Sequence, residues 1–452
     1  MAKSKAKSND SPVMSWKKLL SDERLVPMEH TNGARSPFII DQDIITNSQP
    51  FRRLQDKTQV HPLSGNDHVR RRLTHSVEAA SIGRALGRSV AKLLLRNNPQ
   101  LAEEGVSQET FGDILYAACV AHDIGNPPFG HFGESAISTG LKKLINSEQV
   151  VLSEREMADL RSWEGNAQGF RVLNTLEKYQ QGYGGMRLTV ATLATFTKYP
   201  FSSKSQRGQG KKKFGFFQSE EDDFKAVATR VGLLEDPSGG WCRHPLAFLV
   251  EAADDLAYAL GDLEDGCELK LVSFDEIEKL FKDLICRPEA RDRHRSERRR
   301  LEFLREDVVQ IVVEDVAQKF VQQHTAVLAG QLATDIWPLS RFEKTIKAAK
   351  NLTRDKIFQA PQKAGVEVAS FDVIGKVIEK IGTALFFLKH NEDSREYSRL
   401  IEFTLNKDIT WIKAASDFEL LLRTADYVSG MTDTYAIKTY RHITGIDFSP
   451  GR

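Results

Sequence analysis

Cysteine is scarce in this 452-residue chain: Cys119, Cys242, Cys267 and Cys286 are its only four, and none forms a C-x-x-C pair. Thiols so few and scattered exclude a disulfide-framed scaffold or a zinc knuckle, and they read as reduced side chains. Net charge is nearly absent too, with 63 Lys+Arg against 62 Asp+Glu for a formal +1. That balance excludes a histone-like or strongly acidic, partner-seeking protein, although it leaves room for local basic patches. No stretch approaches the roughly 18 uninterrupted apolar residues of a membrane span. The opening MAKSKAKSNDSPVMSW is basic but has no apolar run behind it. No signal peptide is therefore expected, and the chain reads as cytoplasmic. No repeat and no convincing run of alternating strands is present.

What is present fits a large soluble globular protein: 40% hydrophobic and 28% charged residues, 30 glycines and 15 prolines. A chain of this length buries roughly three quarters of its unfolded surface, enough for a large core or two lobes. Apolar residues recur at helical spacing, as in Phe371, Ile374, Val377, Ile378, Ile381, Leu385 and Leu388. After Pro245, which can occupy a first helical turn, Leu246, Leu249, Ala253, Leu256, Leu260 and Leu263 make a second stripe. The expectation is a mostly helical protein with a polar, disordered start and one short hairpin near Gly182–Gly185. Two segments depart from neutrality. Lys198 to Lys213 carries six basic residues and no acid, and Arg287 to Arg300 carries seven arginines against three acids.

Three strings hold the chemistry. RRRLTHSVEAA places His75 on an amphipathic helix, AHDIGNPPFGHFGE carries His122, Asp123, His131 and Glu134, and EAADDLAYALGDLED carries Asp254, Asp255, Tyr258 and Asp262. Ile114, Leu115, Ala118 and Val120 predict a buried helix whose end presents His122 and Asp123. An ionised carboxylate there needs a partner, because burying it unpaired is costly. A divalent cation satisfies a His and an Asp together, and mixed N/O donors suit manganese, iron(II), zinc or magnesium. His131 and Glu134 are three residues apart, close enough to share a helical face, where the carboxylate would fix the tautomer of the histidine.

The order His75, His122–Asp123, Asp254 resembles the HD superfamily of metal-dependent phosphohydrolases. FRRLQDKTQV, HDIGNPPFGHFGE, SWEGNAQGFRVL, KYP, KFGFFQSE, RHPLAFLVEAADDLAY and ADYVSGMTDTYA span residues 51 to 436 in order. Together they resemble the deoxyguanosine triphosphate triphosphohydrolase (dGTPase) family. The resemblance implies an all-α HD core with an additional helical lobe: a polar segment 1–35, a catalytic core 36–265 and a helical region 266–452. It implies hydrolysis of a deoxynucleoside triphosphate to deoxynucleoside and inorganic triphosphate, with one divalent cation (manganese, magnesium or iron(II)).

The implied metal ligands are His75, His122, Asp123 and Asp254; Asp254 is chosen over Asp255 because the family places a tyrosine, here Tyr258, four residues on. His131 and Glu134 would handle protons, with their division of labour open. Arg72, Lys198 and Lys213 would meet phosphates. Gln59, with Asp262, would read the 3′-hydroxyl, and Tyr258 would lie where a 2′-hydroxyl would project. A homo-oligomer, often a hexamer in this family, is implied as well. Two other readings compete: another HD-type hydrolase, such as a nucleotidase or guanosine polyphosphate hydrolase, or a nucleotide- or single-stranded-nucleic-acid-binding regulator using the Arg287–Arg300 run. Base preference has no visible signature.

Overall fold

The computed structural model describes residues 12–28, 35–60, 65–177, 184–211, 213–332, 335–359, 361–390, 394–405 and 409–446. Among the described residues the chain is helical and has no strand, only isolated bridges such as Thr58 with Arg71. The all-α expectation holds. The hairpin expected at Gly182–Gly185 falls partly outside the described residues.

Helix α1 (Arg72–Asn97) and helix α2 (Gln108–Ala121) form the closest packed pair near the site. The approach depends on small residues: a Cβ added to Gly87 would stand 2.7 Å from the Phe111 carbonyl oxygen. Ser107 starts α2 by accepting the Thr110 N–H at 3.0 Å. The helix ends at His122, since Gly125, Pro127 and Pro128 follow and cannot continue it.

The chain then turns through Phe129 and Gly130, both at positive φ (62° and 61°), into helix α3 (His131–Ser147). Helix α4 (Glu154–Arg161) follows, opened by a capping box between Ser153 and Glu156. Helix α5 (Ala247–Glu268) begins two residues beyond Pro245, not at it. The reason is His244, whose Nδ1 accepts the Leu246 N–H at 3.2 Å. Burial drives His244 down to about 4, so it stays neutral in this capping role.

Helix α6 (Glu297–Gln322) and helix α7 (Glu343–Thr353) lie against α1 and α5. The long helix α8 (Pro361–His390) and helix α9 (Asp417–Ser429) pack on α3, and helix α10 (Asp433–Thr444) packs on α8. The apolar stripe expected on α8 is buried from Ile374 to Leu388, but Phe371 at its start is 39% exposed.

Two apolar cores result. One holds α1, α2, α5, α6 and α7, and the other holds α3, α4, α8, α9 and α10. Each buried Leu, Ile or Val there contributes about 1.5–3 kcal/mol. The cores do not divide at 265/266: α6 and α7 join the first, while α3 and α4 join the second. The supposedly polar start also contributes, since Met14, Trp16, Leu19 and Leu20 are buried in the first core. Trp16 Nε1 donates to His324 Nε2 at 2.8 Å, and the Met14 N–H donates to the Leu328 carbonyl at 2.9 Å.

Candidate metal and nucleotide site

Where the cores meet, a cavity of about 590 Å³ opens, within the range for a small-molecule site. Its lining includes Gln59, Arg72, His122, Asp123, His131, Glu134, Lys198, Lys213, Asp254 and Tyr258.

Its floor is built by three helices of the first core. His75 comes from the first turn of α1, His122 and Asp123 from the end of α2, and Asp254 from the second turn of α5. Asp254 Oδ1 stands 3.1 Å from His75 Nε2 and 3.2 Å from His122 Nε2. Asp123 Oδ1 lies 3.5 Å from His122 Nε2. One donor atom each from His75, His122 and Asp123 fits within 4.8 Å of the others, and Asp254 joins through both imidazoles. Donors about 2.1 Å from a shared cation at right angles would stand about 3 Å apart, so the spacing is that of a ligand set.

Two further observations favour a cation. His122 Nδ1 lies 2.6 Å from the Cys119 carbonyl, so Nδ1 carries the proton and Nε2 turns its lone pair to the cluster. His122 Nε2 and Asp123 Oδ2 are buried without an aligned hydrogen-bond partner, atoms that a divalent cation would satisfy.

Charge balance agrees. Burial works against both carboxylates, yet the Arg72 guanidinium 2.9 Å away brings Asp123 down to about 2. Lys198, 2.6 Å from Asp254 Oδ2, holds Asp254 well below the usual range. Burial also opposes protonation of His122, but Asp123 and Asp254 outweigh it and raise its pKa. The cluster therefore attracts positive charge, for which a proton and a metal compete. Asp255 turns aside to Lys350 at 2.7 Å, which separates the two adjacent aspartates.

The rim belongs to the second core. His131 Nδ1 is 2.9 Å from Glu134 Oε2 across the first turn of α3. Glu134 Oε1 accepts the Gly165 N–H at 2.9 Å. A Cβ on residue 165 would lie 2.8 Å from that oxygen, so a side chain there would push the Glu134 carboxylate out of this position. Burial would raise Glu134, but the His131 hydrogen bond and the Lys213 charge keep it below its ordinary value. Lys213 Nζ reaches Glu164 at 2.5 Å and Glu134 at 3.8 Å.

Tyr258 stands edge-on to His75, with ring centres 6.0 Å apart, and Phe358 flanks it at 6.1 Å. Gln59 Oε1 is buried without a hydrogen-bond partner. Asp262, one turn beyond Tyr258, is buried outside the cavity lining.

Sequence reasoning missed Asn126, which donates to Asp123 Oδ1, and Glu164, which holds Lys213. Both stand inside quoted strings, but their residue types carry no signal alone. Phe358 had no signal at all. The arginine-rich run is largely tied down inside the chain. Arg287 pairs with Glu306 and Asp307, Arg298 with Glu268 and Arg299 with Glu302, while Arg300 pairs with Glu278 over the Phe274 ring. Lys204 and Arg207, within the basic stretch Lys198 to Lys213, pair with Glu154 and Asp236.

Comparison with known proteins adds a second line. The family model described as HD domain matches residues 72–188, which takes in His75, His122 and Asp123. A Synechocystis sp. protein named deoxyguanosinetriphosphate triphosphohydrolase-like is 38% identical over 447 residues, covering 96% of this chain and all of its own. One of the same name from Pseudomonas aeruginosa is 39% identical over 448 residues, covering 96% of this chain and 99% of its own. The chain belongs to the dGTPase family of HD-domain proteins. A Yersinia enterocolitica deoxyguanosinetriphosphate triphosphohydrolase is 29% identical, covering 90% of this chain and 93% of its own. Membership in the family makes the chain an HD-type hydrolase, and the His–His–Asp cluster has donors spaced so that they could hold a metal ion. No described helix is long and apolar enough to cross a membrane.

Proposed function

We propose that the protein hydrolyses deoxynucleoside triphosphates, dGTP among them, to the deoxynucleoside and inorganic triphosphate. The observation that carries this reading is a four-donor cluster at the floor of a cavity whose walls add three cations and a His–Glu pair. His75, His122, Asp123 and Asp254 would hold a divalent cation: manganese, magnesium or iron(II). When bound, it supplies Lewis-acid charge that neutralises a phosphate and eases deprotonation of the attacking water.

The chain's own residues do the rest. Water attacks the α-phosphorus, the 5′-oxygen leaves with a proton, and triphosphate and deoxynucleoside separate. Arg72 and Lys198 already balance Asp123 and Asp254, and they would turn their remaining donors to the phosphates, as would Lys213. Glu134 holds His131 Nδ1, which leaves Nε2 to exchange the proton at the reacting oxygens. Gln59 reads the 3′-hydroxyl through its unpartnered Oε1. Asp262 lies outside the cavity lining, so we give the sugar contact to Gln59 alone. The Tyr258 ring occupies the space a 2′-hydroxyl would need.

Phosphorus NMR of products from dGTP, dATP, dCTP, dTTP and GTP with added manganese tests the reading. Inorganic triphosphate from the deoxy substrates is expected. Orthophosphate, pyrophosphate or a nucleoside monophosphate as the released product overturns it.

A further inference from the structure

The turn joining α9 to α10 lies more than 290 residues beyond the metal ligands of α2, yet it is bonded to two walls of the cavity. Asp433, the first residue of α10, is 0% exposed. Its Oδ2 accepts the Thr58 N–H at 3.0 Å and the Thr58 hydroxyl, and its Oδ1 accepts the Phe129 N–H at 2.9 Å. Thr58 precedes Gln59. Phe129 precedes Gly130 and His131, and the two residues before His131 both sit at positive φ. A phenylalanine in that region is strained and persists only where its surroundings enforce it.

Lys57 makes a second tie beside the first. It is 2% exposed, and its Nζ donates to the Asn126 carbonyl at 2.5 Å and the Ser429 carbonyl at 2.7 Å. Asn126 in turn donates to Asp123. The α9–α10 turn is thus bonded to the segment carrying Gln59, to the loop after the metal ligands and to the turn that launches His131. A buried carboxylate is a costly way to hold helices together when apolar packing serves. What it adds is direction: one rigid group fixes two backbone segments at a set spacing.

We propose that Asp433, with Lys57 beside it, is a positioning residue that holds the Gln59 segment and the Phe129–His131 turn in register across the cavity. The C-terminal helical hairpin is then part of the catalytic apparatus. The kinetic side of this inference rests on the deoxynucleotide reading above, whereas its structural side does not.

Asp433→Asn keeps the shape but leaves one carbonyl oxygen where two oxygens now accept three donors. Hydrogen exchange is the test independent of activity. In the full-length variant the amides of residues 56–60 and 129–133 should exchange at least about tenfold faster, while those of 76–97 stay unchanged. Kinetically, kcat should fall about 10- to 100-fold with KM changed far less, at unchanged metal content. Thr58→Val should reproduce part of the effect and Thr58→Ser should restore it. Exchange unaltered in either segment overturns the proposal. So does a lower melting temperature with kcat per folded molecule intact. If the wild type releases no triphosphate, the functional reading fails, and the exchange result still decides the clamp.

Discussion

The side chains of His75 and His122 are 2% and 4% exposed and held by helices of the first core, whereas His131 is 80% exposed on a helix of the second. Two carboxylates of each core differ in the same sense, although Glu134 on the second is also held low. In the first core Arg72 brings Asp123 down to about 2, and Lys198 holds Asp254 lower than usual. In the second, burial pushes Asp159 up to about 6 and raises Glu164 even with Lys213 beside it. One half of the cavity is therefore a preorganised, charge-matched receptor for a cation. The other is an open edge, where the proposed proton transfer would take place once substrate covers it. Preorganisation places the cost of desolvation in folding, and the open edge lets products leave.

Removing a donor from the buried half should have the largest effect. His122→Ala should lose stoichiometric manganese, read by mass spectrometry of the metal, and lose at least about a thousandfold in kcat/KM, as the several kcal/mol of Lewis-acid stabilisation disappears. His131→Ala should lower kcat by about 10²–10⁴. Because its side chain is exposed, metal content and stability should hold, the latter within about 0.5 kcal/mol. Parallel loss of metal in His131→Ala would erase the separation between the halves. Full activity in either variant would remove the functional assignment itself.

The buried half was also the more legible in sequence. His122 and Asp123 close an apolar helix, and an anion there demands a partner, so the residues announce their chemistry. The choice of Asp254 over Asp255 needed the Tyr258 spacing of the family pattern; in the structure Asp255 turns to Lys350 on another helix. What stayed illegible depends on pairings between distant segments. Thr58 and Asp433 are 375 residues apart and of common types. The Arg287–Arg300 run looked like a surface for an anionic polymer because a window of sequence counts charges. The acids that answer it, Glu268, Glu278, Glu306 and Asp307, lie outside that window. Met14 to Leu20 looked polar from its surroundings, but Trp16 and Leu19 turn into the core.

Tyr258 lines the cavity, its ring perpendicular to that of His75. Apolar walls reject an added hydroxyl by about a hundredfold. Tyr258→Ala should therefore cut the ratio of kcat/KM for dGTP over GTP by about 10- to 100-fold, while His131 and the donor set keep the reaction running. An unchanged ratio would move sugar selection to the Gln59 side.

The smallest effect probes the electrostatic contrast alone. Asp159 on α4 accepts the Ser203 hydroxyl at 2.6 Å and the Gln218 N–H at 2.7 Å, but burial outweighs these bonds and the Arg155 charge, and its pKa rises from 3.8 to about 6. A raised folded value means that the folded state binds the proton more tightly than the unfolded one. The stabilisation it provides is complete below 3.8 and is lost as pH climbs through about 6. Asp123 has the opposite sign: with a folded value of about 2, it stabilises above 3.8 and loses that contribution as pH falls through 2. Asp159→Asn cannot ionise, so urea unfolding at pH 4 and pH 7 should show the variant gaining about 2 kcal/mol relative to the wild type across that interval. A relative loss instead would place Asp159 with Asp123, as an anion matched by charge, and the contrast between these two buried carboxylates of the two cores would be gone.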